Sequence, residues 1–143
     1  MRITILGMGN MGRAFAARAI ETGHQTTVWN RTPGRVAALV ASGAIEANTS
    51  TAAAGADAVL VVLADDAAVL DVCLGDDGVL ASLEPDALFA NVSTVSPETA
   101  RRLAELGPEG RVLDAPVMGS PAMIAGGLGE VPHRRSRPSD FCH

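Results

Sequence analysis

The sequence predicts a single α/β domain built around a doubly wound parallel sheet. Strand-like and helix-like runs alternate along the first 114 residues, and this order places helices on both faces of a parallel sheet. A glycine-rich loop directly follows the first strand-like run. The length of 143 residues and the hydrophobic content of 48% suffice for one independently folding core.

The first elements form a β-α-β unit. Residues 2–6 are a short β-rich run that leads into the glycine loop at residues 7–12. Helical spacing follows up to Gly23, a residue type that ends helices. Residues 25–29 predict the second strand. Thr32 and Pro33 then predict an N-cap and a first-turn proline for a helix through about Ser42. One face of the first helix carries Met11, Ala14, Phe15, Arg18 and Ala19.

Three further strands are predicted, with helices between them. Residues 56–63 and 87–92 are apolar runs typical of strands covered on both faces, and residues 111–114 are a last short strand. Asp65 or Asp66 is expected to cap a helix through Cys73 and Leu74, followed by a turn at residues 75–78. Ser96 and Pro97 predict the start of a helix that ends near Gly107.

The last part of the chain loses this pattern. From Ala115 onward, proline and glycine interrupt a loop of small residues. We predict a dinucleotide-binding domain over residues 1–127. Residues 128–143 are predicted to be an irregular basic tail, either disordered or foreign to the fold, for example a frameshifted or truncated end. A nucleic-acid or targeting role for the tail is the minor alternative.

Composition excludes several classes of function. The net charge of −5 and the aromatic content of 3% disfavour a nucleic-acid binder. No apolar run approaches the roughly 20 residues that span a bilayer, and no secretory leader is recognisable. The two cysteines follow no metal-ligand spacing, so no metal site is expected. A cytoplasmic location is the prediction, with no nucleic-acid or membrane partner.

The glycine loop predicts a dinucleotide site. In the pattern G-x-G-x-x-G, Gly7 permits the tight turn, Gly9 lets the backbone approach a pyrophosphate, and Gly12 allows close packing of helix on sheet. Free N–H groups at the helix start would face the phosphates. The predicted cofactor-contacting residues of this loop are Gly7, Met8, Gly9, Asn10, Met11 and Gly12. The alternative is a glycine turn that only connects two elements.

The end of the second strand favours NADP over NAD. An NAD site usually has an acidic residue there, which accepts hydrogen bonds from the ribose hydroxyls. This chain has Asn30, Arg31 and Thr32 instead. Asn30 lacks the carboxylate that would repel a 2′-phosphate. The Arg31 guanidinium group and the Thr32 hydroxyl could both donate hydrogen bonds to that phosphate. The alternative is a solvated arginine beside a helix cap.

The sequence contains three ordered motifs: GMGNMG at residues 7–12, NVSTVSP at 91–97, and DAPVMGSP at 114–121. Together they resemble the motifs of the β-hydroxyacid dehydrogenase family, which includes 3-hydroxyisobutyrate dehydrogenase, 6-phosphogluconate dehydrogenase and the related imine reductases. The resemblance covers residues 3 to about 127 and corresponds to the N-terminal domain only. Members of this family are oxidoreductases that use a nicotinamide cofactor.

The resemblance implies roles for further residues. Leu63, Ala64 and Asp65 would line the nicotinamide half of the cofactor, and Thr94 would contact the nicotinamide ribose. Ser93, Gly119 and Ser120 are the candidate substrate contacts. From the residues alone, Ser93 and Thr94 could instead satisfy the backbone after a strand, and Asp65 could serve only as a helix cap.

The sequence also departs from the family pattern. Asn91 stands in place of the leading aspartate of the second motif, and Met118 in place of a serine. The more apolar loop is similar to that of imine reductases. In most of the family, a lysine on the helix that joins the two domains is the general acid/base, and a helical second domain closes the site. No lysine-bearing helix follows residue 120.

Three functions are therefore open at this stage. The leading one is the NADP-binding domain of an oxidoreductase that transfers hydride between NADP(H) and a small hydroxy acid, carbonyl or imine. The second is a truncated, catalytically incomplete NADP-binding module. The third, disfavoured by Asn30 and Arg31, is an S-adenosylmethionine-dependent methyltransferase. A small-molecule substrate and a homodimer are both expected only with the helical second domain.

Overall fold

Parallel strands form the centre of the fold in the computed structural model, which describes residues 1–32, 34–47, 55–74, 77–116 and 121–125. Within these residues one six-stranded sheet is present, with strand order β3-β2-β1-β4-β5-β6 and every pair parallel. This is the order of a Rossmann-type sheet. The strands are β1 (Arg2–Leu6), β2 (Gln25–Trp29), β3 (Ile45–Glu46), β4 (Ala58–Val61), β5 (Leu88–Asn91) and β6 (Val112–Asp114).

Helices cover both faces of the sheet, so that the strands are buried from two sides. Ile5 and Leu6 are adjacent in β1 and therefore point to opposite faces. Ile5 packs with Ala16 of α1 and with Val36, whereas Leu6 packs in the core that includes residues of α3, α4 and α5. The helices are α1 (Asn10–Glu21), α2 (Ala37–Ala41), α3 (Asp66–Cys73), α4 (Val79–Ser82), α5 (Pro97–Leu106) and α6 (Pro121–Ala125).

The strand register brings the ends of the strands into one line. Leu6 pairs with Trp29 on one side and with Val61 on the other, Val61 pairs with Asn91, and Asn91 pairs with Asp114. These are the last residues of five strands. The loops that follow them therefore share one edge of the sheet, where ligands of open α/β folds bind.

Most predicted elements are confirmed. Strands lie within or at the predicted ranges, α1 ends before Gly23 (φ +87°), and α3 and α5 have the predicted caps. The Asp65 side chain accepts a hydrogen bond from the Ala68 N–H at 2.8 Å, and Ser96 Oγ accepts one from the Thr99 N–H at 3.3 Å. The fold class is therefore the predicted doubly wound α/β class.

Other predictions of local structure are wrong. The second helix begins at Ala37 rather than near Pro33, because Gly34 adopts a left-handed conformation (φ +86°) that a helix cannot contain. On α1, Ala14 and Ala19 of the face given by the spacing are buried, and Ala16, which lies outside that face, is fully buried as well. Three short elements, β3, α4 and α6, were not predicted at all.

Several predicted positions lie outside the described residues, among them Gly75 of the predicted turn, Gly119 and Ser120. Pro33 and the tail at residues 128–143 are not described, so the predicted domain boundary at residue 127 stays a prediction. Within the described part of the chain, no helix has the length and apolar character needed to cross a membrane.

Candidate functional site

A cavity of about 490 Å³ opens at the carboxyl edge of the sheet, where the strand order reverses around β1. Its walls come from the loops after β1, β2 and β4 and from one face of α3. Its volume lies in the range of cofactor and small-molecule sites. The lining residues are Gly7, Met8, Gly9, Asn10, Met11, Gly12, Trp29, Asn30, Arg31, Thr32, Arg35, Val62, Leu63, Ala64, Ala68 and Val72.

The three motif glycines have different physical roles. Gly7 has φ +100°, and a Cβ there would lie 2.1 Å from the Val62 carbonyl oxygen. A Cβ on Gly12 would lie 1.8 Å from the Gly7 carbonyl oxygen. A Cβ on Gly9 would meet no protein atom within 4 Å, because Gly9 faces open space. Gly7 and Gly12 are thus required by the fold itself, whereas the space beside Gly9 is available to a ligand.

The N-terminus of α1 lies at the wall of this cavity. Its N-cap is Gly9, and no side chain caps the first turn. The α3 and α5 helices, by contrast, have Asp65 and Ser96 as side-chain caps. The first N–H groups of α1 therefore have no side-chain acceptor, and the positive end of the helix dipole lies at the cavity wall. This arrangement suits a phosphate or pyrophosphate.

Asn30 connects the glycine loop to the loop after β2. Its Oδ1 accepts a hydrogen bond from the Met8 N–H at 3.1 Å, and its Nδ2 donates to the Thr32 carbonyl oxygen at 3.1 Å. Both faces of the amide are used, one as acceptor and one as donor. Besides lacking a negative charge, Asn30 thus fixes the shape of the cavity wall.

Two arginines bring positive charge to the same wall. Arg31 and Arg35 both line the cavity, four residues apart. The Arg31 Nη2 forms an ion pair with Asp71 Oδ2 of α3, and both side chains are largely exposed. Arg35 was not identified from the sequence, because its place on the wall depends on the loop before α2, whose turn at Gly34 the spacing does not reveal.

A hydrogen-bonded network occupies the neighbouring part of the edge, after β4 and β5. The Ser93 hydroxyl donates to the Val61 carbonyl oxygen at 3.1 Å and accepts from the Leu63 N–H at 2.7 Å. Ser93 is buried, with 4% of its surface exposed. Its hydroxyl therefore joins the loop after β4 to the loop after β5, and the substrate contact expected of Ser93 stays a prediction.

Asn91 has a specific partner at this edge. Its Nδ2 donates to Asp114 Oδ1 at 3.4 Å and to the Ser93 carbonyl oxygen at 3.2 Å. Burial raises the pKa of Asp114, and the hydrogen bond from Asn91 opposes that rise. An aspartate at position 91 would place a second carboxylate against Asp114.

Asp66 joins α3 to the start of α5. Its carboxylate accepts hydrogen bonds from the Ser96 N–H and, at 2.8 Å, from the Thr99 hydroxyl. These hydrogen bonds lower the pKa of Asp66. The contact holds the helix that borders the cavity against the helix that follows β5.

The structure brings most of the predicted cofactor residues together. The whole glycine loop, residues 30–32, Leu63 and Ala64 line one cavity. Asp65 and Thr94 are exposed residues that do not line it, and Asp65 caps α3. Gly119 and Ser120 lie outside the described residues. The proposed roles of these four residues remain predictions. Trp29 also lines the cavity.

The sheet order, the glycine turn and the uncapped helix start define a Rossmann-type dinucleotide-binding domain. Residues 2–128 match the model of the NAD binding domain of 6-phosphogluconate dehydrogenase. The chain thus belongs to that family and corresponds to the N-terminal, cofactor-binding domain of the β-hydroxyacid dehydrogenases.

The relatives that this chain matches are longer than the chain itself. An uncharacterised oxidoreductase, YfjR, from Bacillus subtilis is 40% identical over 128 residues, covering 87% of this chain and 45% of that protein. A 3-hydroxyisobutyrate dehydrogenase from Pseudomonas aeruginosa is 39% identical over 120 residues, covering 82% and 40%. An NAD-dependent L-serine dehydrogenase from the same organism is 35% identical over 129 residues, covering 88% and 43%. The chain spans less than half the length of these relatives.

Solved structures agree with this assignment. A reductive aminase from Aspergillus terreus, in complex with NADPH and ethyl-5-oxohexanoate, is 34% identical and superimposes with a TM-score of 0.71. The match covers 85% of this chain and 42% of that protein. The chain is therefore an NAD(P)-binding domain related to both hydroxyacid dehydrogenases and imine-reducing enzymes.

Proposed function

We propose that this domain binds NADP(H) in preference to NAD(H) and serves an oxidoreductase. The reaction is hydride transfer between NADP(H) and a small hydroxy acid, carbonyl or imine. The observation that carries the cofactor preference is the pair Arg31 and Arg35 on the cavity wall, beside Asn30 rather than a carboxylate. A 2′-phosphate suits two cations, whereas the ribose hydroxyls of NAD are usually bound by an acidic side chain.

The residues present fit a dinucleotide. The open space beside Gly9 and the uncapped N–H groups of α1 receive the pyrophosphate. Arg31, Thr32 and Arg35 hold the 2′-phosphate. Leu63 and Ala64, with Asp65 and Thr94, border the nicotinamide half. When bound, the nicotinamide supplies the hydride chemistry, and the protein's part is to orient both reactants and exclude water.

The substrate side rests on residues of the second and third motifs. Ser93, Gly119 and Ser120 are proposed to approach the substrate. The Ser93 hydroxyl already bonds Val61 and Leu63. Its contribution to substrate binding therefore proceeds through the position of the loop after β4, or requires those two bonds to be exchanged. The substrate and a homodimer both depend on the second domain, and we propose a cytoplasmic setting.

A second candidate is a module that binds NADP(H) without turnover. The observation that favours it is that all 11 basic Lys/Arg side chains in these 143 residues are arginines. Arginine does not exchange protons near neutral pH, so the lysine general acid of the family has no counterpart within them. Saturable NADPH binding without oxidation by carbonyls or imines supports this candidate, and turnover by the 143-residue chain contradicts it.

The cofactor preference is tested by titration of the purified chain with NADPH and NADH. Trp29, the one tryptophan of the sequence, lines the cavity and reports binding by fluorescence. We expect NADPH to bind at least about tenfold tighter, because a hydrogen bond to a charged group contributes about 1.5–3 kcal/mol. Arg31→Glu should abolish the difference.

Arg111→Glu is the matched control for net charge, because Arg111 is an exposed residue that precedes β6 at the opposite edge of the sheet. It should retain the NADPH preference. Equal affinities of the unaltered chain for NADPH and NADH contradict the proposal.

A further inference from the structure

An ion pair spans the mouth of the cofactor cavity. Arg31, in the loop after β2, contacts Asp71 of α3 through one guanidinium nitrogen. Asp71 lies three residues after Ala68, which lines the cavity, so these two side chains are neighbours on the surface of α3. The carboxylate is thus held beside the cation that is assigned to the 2′-phosphate.

The position of Asp71 within α3 is electrostatically unfavourable on its own. It lies in the last turn of α3, which has no basic residue in that turn. A carboxylate near the C-terminus of a helix faces the negative end of the helix dipole. The Arg31 guanidinium offsets this repulsion, so that the free protein retains the ion pair at the rim.

We propose that Asp71 is a specificity-determining residue that competes with the 2′-phosphate of NADPH for Arg31. The inference rests on the proposed NADP(H) function. A phosphate at Arg31 weakens the ion pair and brings a second negative charge near Asp71. NADH has no 2′-phosphate, so it leaves the Arg31–Asp71 pair in place. Asp71 therefore lowers the affinity for NADPH selectively and narrows the preference for NADPH over NADH.

Coulomb's law gives the size of the direct repulsion between Asp71 and the phosphate, to which the weakened Arg31–Asp71 ion pair adds. A carboxylate about 6 Å from a phosphate dianion in a water-like dielectric weakens binding by about tenfold at low ionic strength. At physiological salt the Debye length is about 8 Å, which reduces the effect to about threefold. Removal of the Asp71 charge should change the affinity for NADH by less than about twofold.

The experiment compares Asp71→Asn with the unaltered chain, using NADPH and NADH as probes at about 10 mM and about 150 mM salt. Asp71→Asn keeps the shape of the side chain and removes its charge. Asp86→Asn is the control, because Asp86 is exposed and precedes β5 at the opposite edge. Arg31→Gln and the double variant Arg31→Gln/Asp71→Asn complete a double-mutant cycle. Circular dichroism confirms that each variant is folded.

The expected result is tighter NADPH binding in Asp71→Asn, by at least about tenfold at low salt and at least about threefold at high salt, with NADH unchanged. In the Arg31→Gln background the direct repulsion of the phosphate persists, but the competition for Arg31 is gone, so the gain should be smaller than in the unaltered background. Asp86→Asn should change NADPH affinity by less than about twofold.

Two other results separate the failure of this inference from the failure of the proposed function. Unchanged or weaker NADPH binding in Asp71→Asn, with an unaltered chain that binds NADPH, overturns the role of Asp71 alone. Such weakening would mean that Asp71 positions Arg31 for the phosphate. No saturable binding of either dinucleotide, by the unaltered chain or by Asp71→Asn, overturns both proposals.

Discussion

Alanine substitutions at Gly9 and Gly12 should separate a ligand-facing glycine from a structural one. A Cβ on Gly12 would lie 1.8 Å from the Gly7 carbonyl oxygen and 2.9 Å from the Gly7 carbonyl carbon. Both are backbone atoms, so the overlap cannot be relieved by a side-chain rotation. A Cβ on Gly9 would meet no protein atom within 4 Å, and the Gly9 backbone (φ −72°, ψ −170°) is allowed for alanine.

The magnitudes follow from these contacts. Gly12→Ala gains about 1 kcal/mol of helix propensity but loses more to overpacking against a fixed backbone, for a net loss of about 2–3 kcal/mol. That corresponds to a Tm lower by about 6–10 °C for a domain of this size. Gly9→Ala should lose only about 0.5 kcal/mol, because alanine is a poorer N-cap than glycine.

The assay combines urea unfolding, followed by circular dichroism, with NADPH titration. Gly9→Ala should keep a nearly normal unfolding midpoint and bind NADPH at least about tenfold more weakly, because its Cβ occupies the space assigned to the pyrophosphate. The reasoning is refuted if Gly9→Ala binds NADPH normally, or if Gly12→Ala unfolds at the midpoint of the unaltered chain.

Three further outcomes are expected. Asn30→Asp should lower the free energy of unfolding by about 1–2 kcal/mol in urea titrations, because a carboxylate oxygen would replace the amide that donates to Thr32. Asp114→Asn should stabilise the protein at pH 7 by less than about 1 kcal/mol and have little effect near pH 3, measured as Tm. In a Cys142→Ser variant, thiol reagents should label Cys73 only as the protein unfolds, because burial raises its pKa to about 12.

The sign of the pH effect follows from linkage. Burial raises the pKa of Asp114 in the folded protein above its value in the unfolded chain. The protonated carboxyl group therefore contributes to folding stability at pH values below the unfolded-state pKa. That contribution is lost as the pH rises through the folded-state pKa and the buried carboxylate ionises. Removing the ionisable group therefore helps only where the carboxylate is charged. A larger gain at pH 3 than at pH 7 would contradict this.

Each of the other two predictions has its own control. Asn30→Ala removes the hydrogen bonds of Asn30 with Met8 and Thr32 without adding a charge, so it separates the two effects of Asn30→Asp. It should lower the affinity for NADPH less than Asn30→Asp does. For Cys73, rapid labelling under native conditions would contradict its burial.

The sequence was sufficient for the elements with a strong local signal. The β-rich run before Gly7, the caps Asp65 and Ser96, and the apolar strands each depend on neighbouring residues, and each was predicted. β3 (Ile45–Glu46) was missed because it has two exposed residues and no burial pattern. The late start of α2 depends on the left-handed Gly34, which spacing does not reveal.

The site could be predicted in part for the same reason. The glycine loop and Arg31 form a motif, so their presence in one cavity was foreseeable. The ion pair with Asp71 joins residues 40 positions apart, and the bonds of Ser93 join residues 30 and 32 positions apart. Such contacts are set by tertiary packing. A motif can therefore identify these residues without showing which of their atoms are already engaged.

The two short outer strands have a consequence for how the protein associates. β3 has two residues and β6 has three, while the four strands between them have four or five. A long open strand at the margin of a sheet offers a template on which another chain can add a strand. Here each margin offers only a few backbone groups. Within the described residues, the sheet thus gives another chain little template for strand addition at either margin.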